Sequence, residues 1–171
     1  MDKRKIELAK KFAQKKFTEA GIKNHFLEVF QILQDKLGVN DRDILVAGLL
    51  HDTLEDTSTT YEEIEKVFSK EVANLVQEVS HPKNYNREQK LEYYERIKTI
   101  SPGAKLIKMA DFASHLQNFA KIYERNEQHL HPKFVNNDKY IASIREFLDT
   151  CKESVSKEFV YKLTDNLETL F

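Results

Sequence analysis

The stretch Leu49-Leu50-His51-Asp52-Thr53-Leu54-Glu55-Asp56-Thr57 ends an apolar run in one imidazole and three carboxylates. An adjacent His-Asp pair can give one nitrogen and one oxygen to a single metal ion, because neighbouring helical side chains diverge by only about 100°. Two ligands rarely close a site. His25 upstream and Asp111 downstream, each on an apolar-periodic segment, are the candidates to join them. Taken by ligand type, two imidazoles and two carboxylates suit Mn²⁺, Fe²⁺, Co²⁺ or Zn²⁺ better than Ca²⁺, with Mg²⁺ less natural. Glu55 lies four residues after His51 and shares its face if the helix continues, so it can handle protons beside an ion, with Asp56 next to it. A carboxylate at the edge of an apolar helix is costly to desolvate unless a cation or hydrogen-bond donors receive it, and a metal at Asp52 would resolve that cost.

These residues need elements to hold them, and the periodicity predicts helices throughout. Ile6, Ala9, Phe12, Ala13 and Phe17 recur at helical spacing, with Lys10, Lys11, Lys15 and Lys16 on a solvated face and Gly21 as the stop. A second helix runs from about Asn24 to Leu37, with His25 near its start and Gly38 at its end. Asn40 or Asp41 caps a third, buried on most sides, that ends at His51-Asp52. Thr60-Tyr61-Glu62-Glu63 is a capping-box signature, Ser69 caps the next helix, and Ser80 to Asn86 reads as a loop able to border a pocket. Helix returns from Arg87 to Ile100. Ser101-Pro102-Gly103 then places a cap and an N1 proline before the long helix that carries Asp111. Two further helices follow the polar segment Asn126 to Asn137, one through Tyr140, Ile141, Ile144, Phe147 and Leu148, the other over roughly Val155 to Phe171. The expected fold is all-α, a bundle of about eight or nine helices.

Composition narrows the function classes. With 171 residues the chain suits a single domain. Its 27 Lys and Arg against 28 Asp and Glu predict no tight binding to nucleic acid or acidic membranes. The lone Cys151 excludes an internal disulfide, and no apolar run approaches the roughly 20 residues of a membrane span, so the expected setting is cytoplasmic.

Three runs together resemble a known family: His51-Asp52-Thr53-Leu54-Glu55-Asp56-Thr57, Thr59-Thr60-Tyr61-Glu62-Glu63-Ile64 and Ser101-Pro102-Gly103-Ala104-Lys105-Leu106-Ile107-Lys108-Met109-Ala110-Asp111. In that order they are similar to the guanosine tetraphosphate hydrolase domain of RelA/SpoT proteins and its short stand-alone homologues, which are metal-dependent HD-domain phosphohydrolases. The resemblance covers about residues 6 to 125, with the C-terminal helices at about 137 to 171 outside it. It implies Mn²⁺ held by His25, His51, Asp52 and Asp111, with Glu55 and Asp56 as the catalytic pair beside the attacking water. It further implies removal of pyrophosphate from the ribose 3′ position of ppGpp or pppGpp, leaving GDP or GTP. For the anionic guanine nucleotide, the candidate donors away from the metal are Lys15, Lys16, Lys23, Asn24 and Lys108, with Arg87 and Lys90 behind them. A synthetase half is not expected in a chain of this length.

Two departures from the family pattern bear on the substrate. The family usually has a longer basic loop and then Tyr-Ile-x-His-Pro, where this chain has Ile22-Lys23-Asn24-His25-Phe26. It also commonly has Asn four residues after the last metal-ligand Asp, where this chain has His115, a candidate to contact substrate or metal. Hydrolysis of another nucleotide or a 3′-phosphorylated cofactor, and a non-catalytic nucleotide sensor, are therefore the competing readings. Retention of both Glu55 and Asp56 speaks against the sensor. Elsewhere the expectations are bland. His81, His129 and His131 are read as solvated, Tyr93 and Tyr94 as packing groups, and Cys151 as a bystander. The C-terminal helices either complete the core or form a homo-oligomer face.

Overall fold

The computed structural model describes residues 3–23, 25–81, 84, 86–127, 137–152 and 155–169. Among them lie nine α-helices of six residues or more, one four-residue turn of helix and no strand, which is the all-α architecture the periodicity predicts. In chain order these are α1 (Lys3–Glu19), α2 (Phe26–Gln31, continued by a π-turn over Ile32–Lys36), α3 (Arg42–Leu50), α4 (Thr53–Asp56), α5 (Tyr61–Val67), α6 (Lys70–Val79), α7 (Arg87–Ile97), α8 (Pro102–Glu124), α9 (Asn137–Asp149) and α10 (Val155–Glu168).

The helix boundaries follow from local chemistry. Gly21 and Gly38 take positive φ, 67° and 64°, and let Ile22 N and Val39 N reach back to Phe17 O and Leu33 O, closing the ends of α1 and of the π-turn. Asp41 caps α3, its Oδ1 accepting from the N–H groups of Asp43 and Ile44. Thr60, Ser69 and Ser101 cap α5, α6 and α8, each accepting from the backbone three residues on. Asn86 and Gln89 form a reciprocal capping box at the start of α7.

One expectation changes in a way that matters. A helix continuing through His51 to Glu55 would put both on one face, but the chain turns at His51-Asp52, where Asp52 has φ −96° and ψ 0°. The α4 turn then restarts from Asp52, whose carbonyl accepts from Asp56 N. Thr53 Oγ1 donates to Leu50 O at 2.6 Å, so a side-chain hydroxyl satisfies a carbonyl at the break, and Thr57 Oγ1 donates at 2.6 Å to Thr53 O, which also accepts from Thr57 N. His51 thus ends one helix and Glu55 belongs to the next.

The buried helix at the centre is α3, packed against α1, α2, α6 and α8. Leu45, Leu49 and Leu50 are fully buried there, each contributing roughly 1.5–3 kcal/mol by leaving water. Gly48 is required by close approach: a Cβ at this position would collide with Leu33 Cδ1 of the π-turn. α8 runs beside α2, α3 and α6 and carries three buried polar residues, Lys108, Asp111 and Ser114. α9 and α10 complete the core, with Ile141, Ile144, Phe147, Leu148, Val160 and Leu167 buried and α10 packed on α8. Among the described residues no helix is long and apolar enough to cross a membrane.

Candidate active site

Four ligand-type side chains converge where α2, α3 and α8 meet. His25 sits at the N-terminal boundary of α2 without capping it, and its imidazole turns inward instead. Its Nε2 lies 3.4 Å from Asp52 Oδ2 and 3.4 Å from Asp111 Oδ1. His51 Nε2 lies 3.0 Å from Asp52 Oδ2, 3.8 Å from Asp111 Oδ1 and 3.3 Å from His25 Nε2. His25, His51 and Asp52 form one compact group of donors, and His25, Asp111 and His115 form another.

The outer hydrogen bonds fix which atoms face inward. His51 Nδ1 is 3.0 Å from Gly48 O, a pure acceptor, so the ring proton sits on Nδ1 and Nε2 offers a lone pair. Ser114 Oγ donates to Glu28 Oε2 at 2.9 Å and therefore accepts from His25 Nδ1 at 2.9 Å, which again leaves Nε2 as a lone pair. Asn118 Nδ2 also donates to Glu28 Oε2, at 3.2 Å. Asp111, Ser114 and Asn118 share one face of α8 because they are spaced by three and four residues.

With both rings neutral, lone pairs and carboxylate oxygens would meet with no hydrogen between them, and Asp111 Oδ1 is buried with no hydrogen-bond partner. Its other oxygen accepts from Lys108 Nζ at 2.6 Å. An orphaned carboxylate oxygen among two imidazole lone pairs is costly without a cation, so the donor set fits a divalent transition-metal ion. The titration behaviour points the same way. Burial alone would lower His51, but the Asp52 and Asp111 charges outweigh it and bring its pKa up to about 9, so at neutral pH Nε2 takes a proton toward Asp52 that a metal ion would displace. Burial opposes ionisation of Asp52 and Asp111, yet both are held below the usual carboxylate range, Asp52 by His51 and His25, Asp111 by Lys108 and the surrounding imidazoles. The centre selects positive charge.

Glu55 projects from α4 beside this cluster. Burial pushes its carboxyl up to about 8, the Asp52 charge adding to the effect and the backbone N–H of His81 working against it. Both of its oxygens are engaged by His81: Oε1 accepts from the His81 backbone N–H at 2.9 Å and Oε2 lies 3.0 Å from His81 Nε2. The expectation that His81 is solvated is corrected here. Its side chain is only 22% exposed and sits edge-on to the Tyr93 ring at 4.9 Å. Composition of the loop hid this, because the pairing depends on how α6 ends rather than on local spacing. Glu55 and Asp56 also line a cleft of about 400 Å³ with Lys16, Glu19, Ala20, Thr57 and Ser58.

The basic candidates separate. Lys16 borders the cleft, its Nζ between the two oxygens of Glu63 at 2.8 and 2.9 Å. Lys15 is largely exposed and 3.7 Å from Glu19, and Lys23 and Lys90 are exposed. Lys108 is buried and committed to Asp111, with burial opposed by Asp111 and Tyr93 so that its pKa stands well above the usual value. It is placed to hold a carboxylate rather than to receive an incoming phosphate. Asn24, His129 and His131 lie outside the described residues, as does the side chain of Arg87. His115 stacks on His25 with ring centres 4.8 Å apart, places Nε2 3.7 Å from Asp111 Oδ1, and meets Tyr140 Oη with Nδ1 at 3.1 Å. Tyr93 is a packing group with a polar end, its hydroxyl donating to Val79 O at 2.9 Å. The residues that spacing did not reveal are His81, Ser114, Glu28 and Gly48. Only the three-residue intervals His25 to Glu28 and Asp111 to Ser114 carried a readable signal.

Comparison with known proteins places this arrangement among relatives. The HD domain family matches residues 6–131. The guanosine-3′,5′-bis(diphosphate) 3′-pyrophosphohydrolase MESH1 of Mus musculus is 43% identical over 96 residues, 56% of this chain and 54% of that protein. The Homo sapiens protein of the same name is likewise 43% identical over 96 residues, again 56% of this chain and 54% of that protein. The chain thus spans about half the length of the curated relatives it matches. Among solved structures, a metazoan ortholog of SpoT that hydrolyses ppGpp superposes with a TM-score of 0.77 at 23% identity, over 98% of this chain and 97% of that one. A Listeria monocytogenes EGD-e protein gives 0.70 at 24% identity, over 86% and 99%. Both structural likenesses speak to the fold.

Proposed function

This chain belongs to the HD-domain family, and from that premise we propose that it is a divalent-metal phosphohydrolase acting on guanosine 3′,5′-bis(diphosphate) or its pentaphosphate. The observation that carries the reading is the meeting of His25, His51, Asp52 and Asp111 around an orphaned carboxylate oxygen, with Glu55 beside it and both Glu55 and Asp56 lining a cleft. The identity to relatives named as 3′-pyrophosphohydrolases supports the substrate.

His25, His51, Asp52 and Asp111 would hold the ion, and the donor set suits Mn²⁺. When bound, a divalent ion neutralises phosphate charge and lowers the pKa of water. The chain supplies the rest. Glu55 takes a proton from the attacking water as the water oxygen bonds to the phosphorus on the 3′ side. The bond from that phosphorus to the ribose 3′ oxygen breaks, the 3′ oxygen is protonated, and GDP or GTP and pyrophosphate result. Asp56 faces the same cleft, and Lys16 offers it a cation for the substrate's phosphates. Lys108 and Ser114 act one step back, orienting Asp111 and His25.

The test is pyrophosphate release from guanosine tetraphosphate by metal-stripped protein with and without Mn²⁺. Release that needs Mn²⁺ and is lost in Asp52→Ala and Glu55→Gln is the expected result; no release from metal-loaded protein rejects the substrate. One observation favours a second reading, hydrolysis of another nucleotide or a 3′-phosphorylated cofactor. His115 lies stacked between His25 and Phe119 where the resembling pattern has Asn, so the wall beside the metal cluster is aromatic. Faster turnover of such a compound in a substrate panel would select it.

A further inference from the structure

We propose that His81 is a positioning residue for this hydrolysis, clamping both oxygens of Glu55 so that the carboxylate is fixed in direction beside the metal cluster. The inference rests on the reading of Glu55 as the proton acceptor. A carboxylate on a four-residue helical turn has little of its own helix to restrain it. His81, from the end of a different element, supplies two contacts from one residue: its backbone N–H to Oε1 at 2.9 Å and its Nε2 to Oε2 at 3.0 Å. His81 is itself held. Its ring lies against Tyr93, whose hydroxyl is tied to Val79 O, and the preceding carbonyl, Ser80 O, accepts from the Arg96 guanidinium.

The charges around Glu55 explain why such a clamp is needed. Asp52 at the α3–α4 turn and Asp111 on α8 both disfavour a further negative charge, and Asp56 and Glu19 line the same cleft. Lys108 on α8 opposes them but is bonded to Asp111, Lys16 on α1 is held by Glu63, and the Tyr93 hydroxyl on α7 is neutral. Contacts to both oxygens hold the carboxylate in one orientation where these neighbouring charges would otherwise turn it away from the cluster.

The experiment uses the metal-loaded full chain and compares wild type, His81→Gln and His81→Ala. Glutamine keeps a donor without charge, and alanine keeps neither. The kcat should fall about tenfold in His81→Ala and stay within about threefold of wild type in His81→Gln, whose side-chain amide can still donate to Oε2. KM and the metal dissociation constant should stay within about twofold, because His81 is not among the ligand atoms. A His81→Ala kcat within about twofold of wild type overturns the proposal, as does a loss accompanied by weakened metal binding. An arm without turnover separates this from the substrate reading. In Zn²⁺-loaded protein, the His81 imidazole followed by NMR should titrate higher in wild type than in Glu55→Gln, and equal titration in the two rejects the clamp. Wild type that leaves guanosine tetraphosphate intact rejects the substrate, and the imidazole titration then decides the clamp.

Discussion

His25 and His51 face each other Nε2 to Nε2 across 3.3 Å, with each Nδ1–H already given away, one to Ser114 Oγ and the other to Gly48 O. Two lone pairs at that distance repel unless something positive lies between or beside them. The oxygens of Asp52 and Asp111 add charge of the same sign to the same point. The fold therefore carries a local electrostatic cost that a cation removes, and the groups that fix the two rings determine how well it does so.

Ser114→Ala removes the acceptor that holds the His25 ring. Freed from it, Nδ1 can no longer select the tautomer that leaves Nε2 unprotonated. Metal affinity measured by calorimetry should fall by about tenfold, with the thermal stability of the metal-free protein little changed. Unchanged affinity would mean that packing against His115 orients His25 by itself.

Glu55→Gln should stabilise the metal-stripped protein and abolish turnover. The folded-state pKa of Glu55, about 8, stands above its ordinary 4.5, so the fold favours the protonated form. The unfolded chain ionises freely as pH rises from 4.5 to 8 while the folded chain resists, and stability is lost across that window. Glutamine has no such loss. The variant's melting temperature should match wild type near pH 4.5 and exceed it at pH 8 by at least about 2–4 °C, the shift produced by ~1 kcal/mol in a chain of this size. A difference independent of pH would place the effect elsewhere.

Much of this site is legible in the sequence because its parts are tied to helix period and helix ends. His51-Asp52 at the close of an apolar run, Asp111 in a helix opened by Ser101-Pro102, and His25 after the Gly21 stop all follow from spacing and capping. His81 did not, since a histidine after a helix end looks the same whether it meets solvent or the carboxylate of Glu55 folded back from another segment. Lys108 misled for a related reason. A lysine among apolar neighbours reads as a free cation, and only the three-residue interval to Asp111 hints that it is already paired. The break at Asp52 was likewise invisible, because Thr53 compensates it with a hydroxyl bond that leaves no mark on the apolar pattern.

Gly48→Ala should damage stability and metal binding together. The added Cβ collides with Leu33, which is fully buried and has little room to yield. Overpacking of this kind costs about 1–3 kcal/mol. It also displaces the Gly48 carbonyl that sets the His51 tautomer, so weaker metal binding should accompany the lower melting temperature. Lower stability with unaltered affinity would show that α3 moves as a rigid body with His51.

Lys16→Ala tests the cleft as the place where the substrate's phosphates rest. Lys16 is the lysine that borders the cleft with Glu55 and Asp56, and Glu63 grips its ammonium from the side at 2.8 Å. A charge-assisted hydrogen bond to phosphate contributes about 1.5–3 kcal/mol, so its loss should raise KM by about tenfold or more. Because the contact is made equally in ground and transition states, kcat should stay within about twofold. Lys15→Ala, one residue away but 72% exposed and turned toward Glu19, should leave KM within about twofold and serves as the control for general charge. Glu63→Gln should lower KM, since it releases the Lys16 ammonium to the substrate. Equal effects from Lys15 and Lys16 would mean that long-range attraction, rather than a seat in the cleft, draws the nucleotide in.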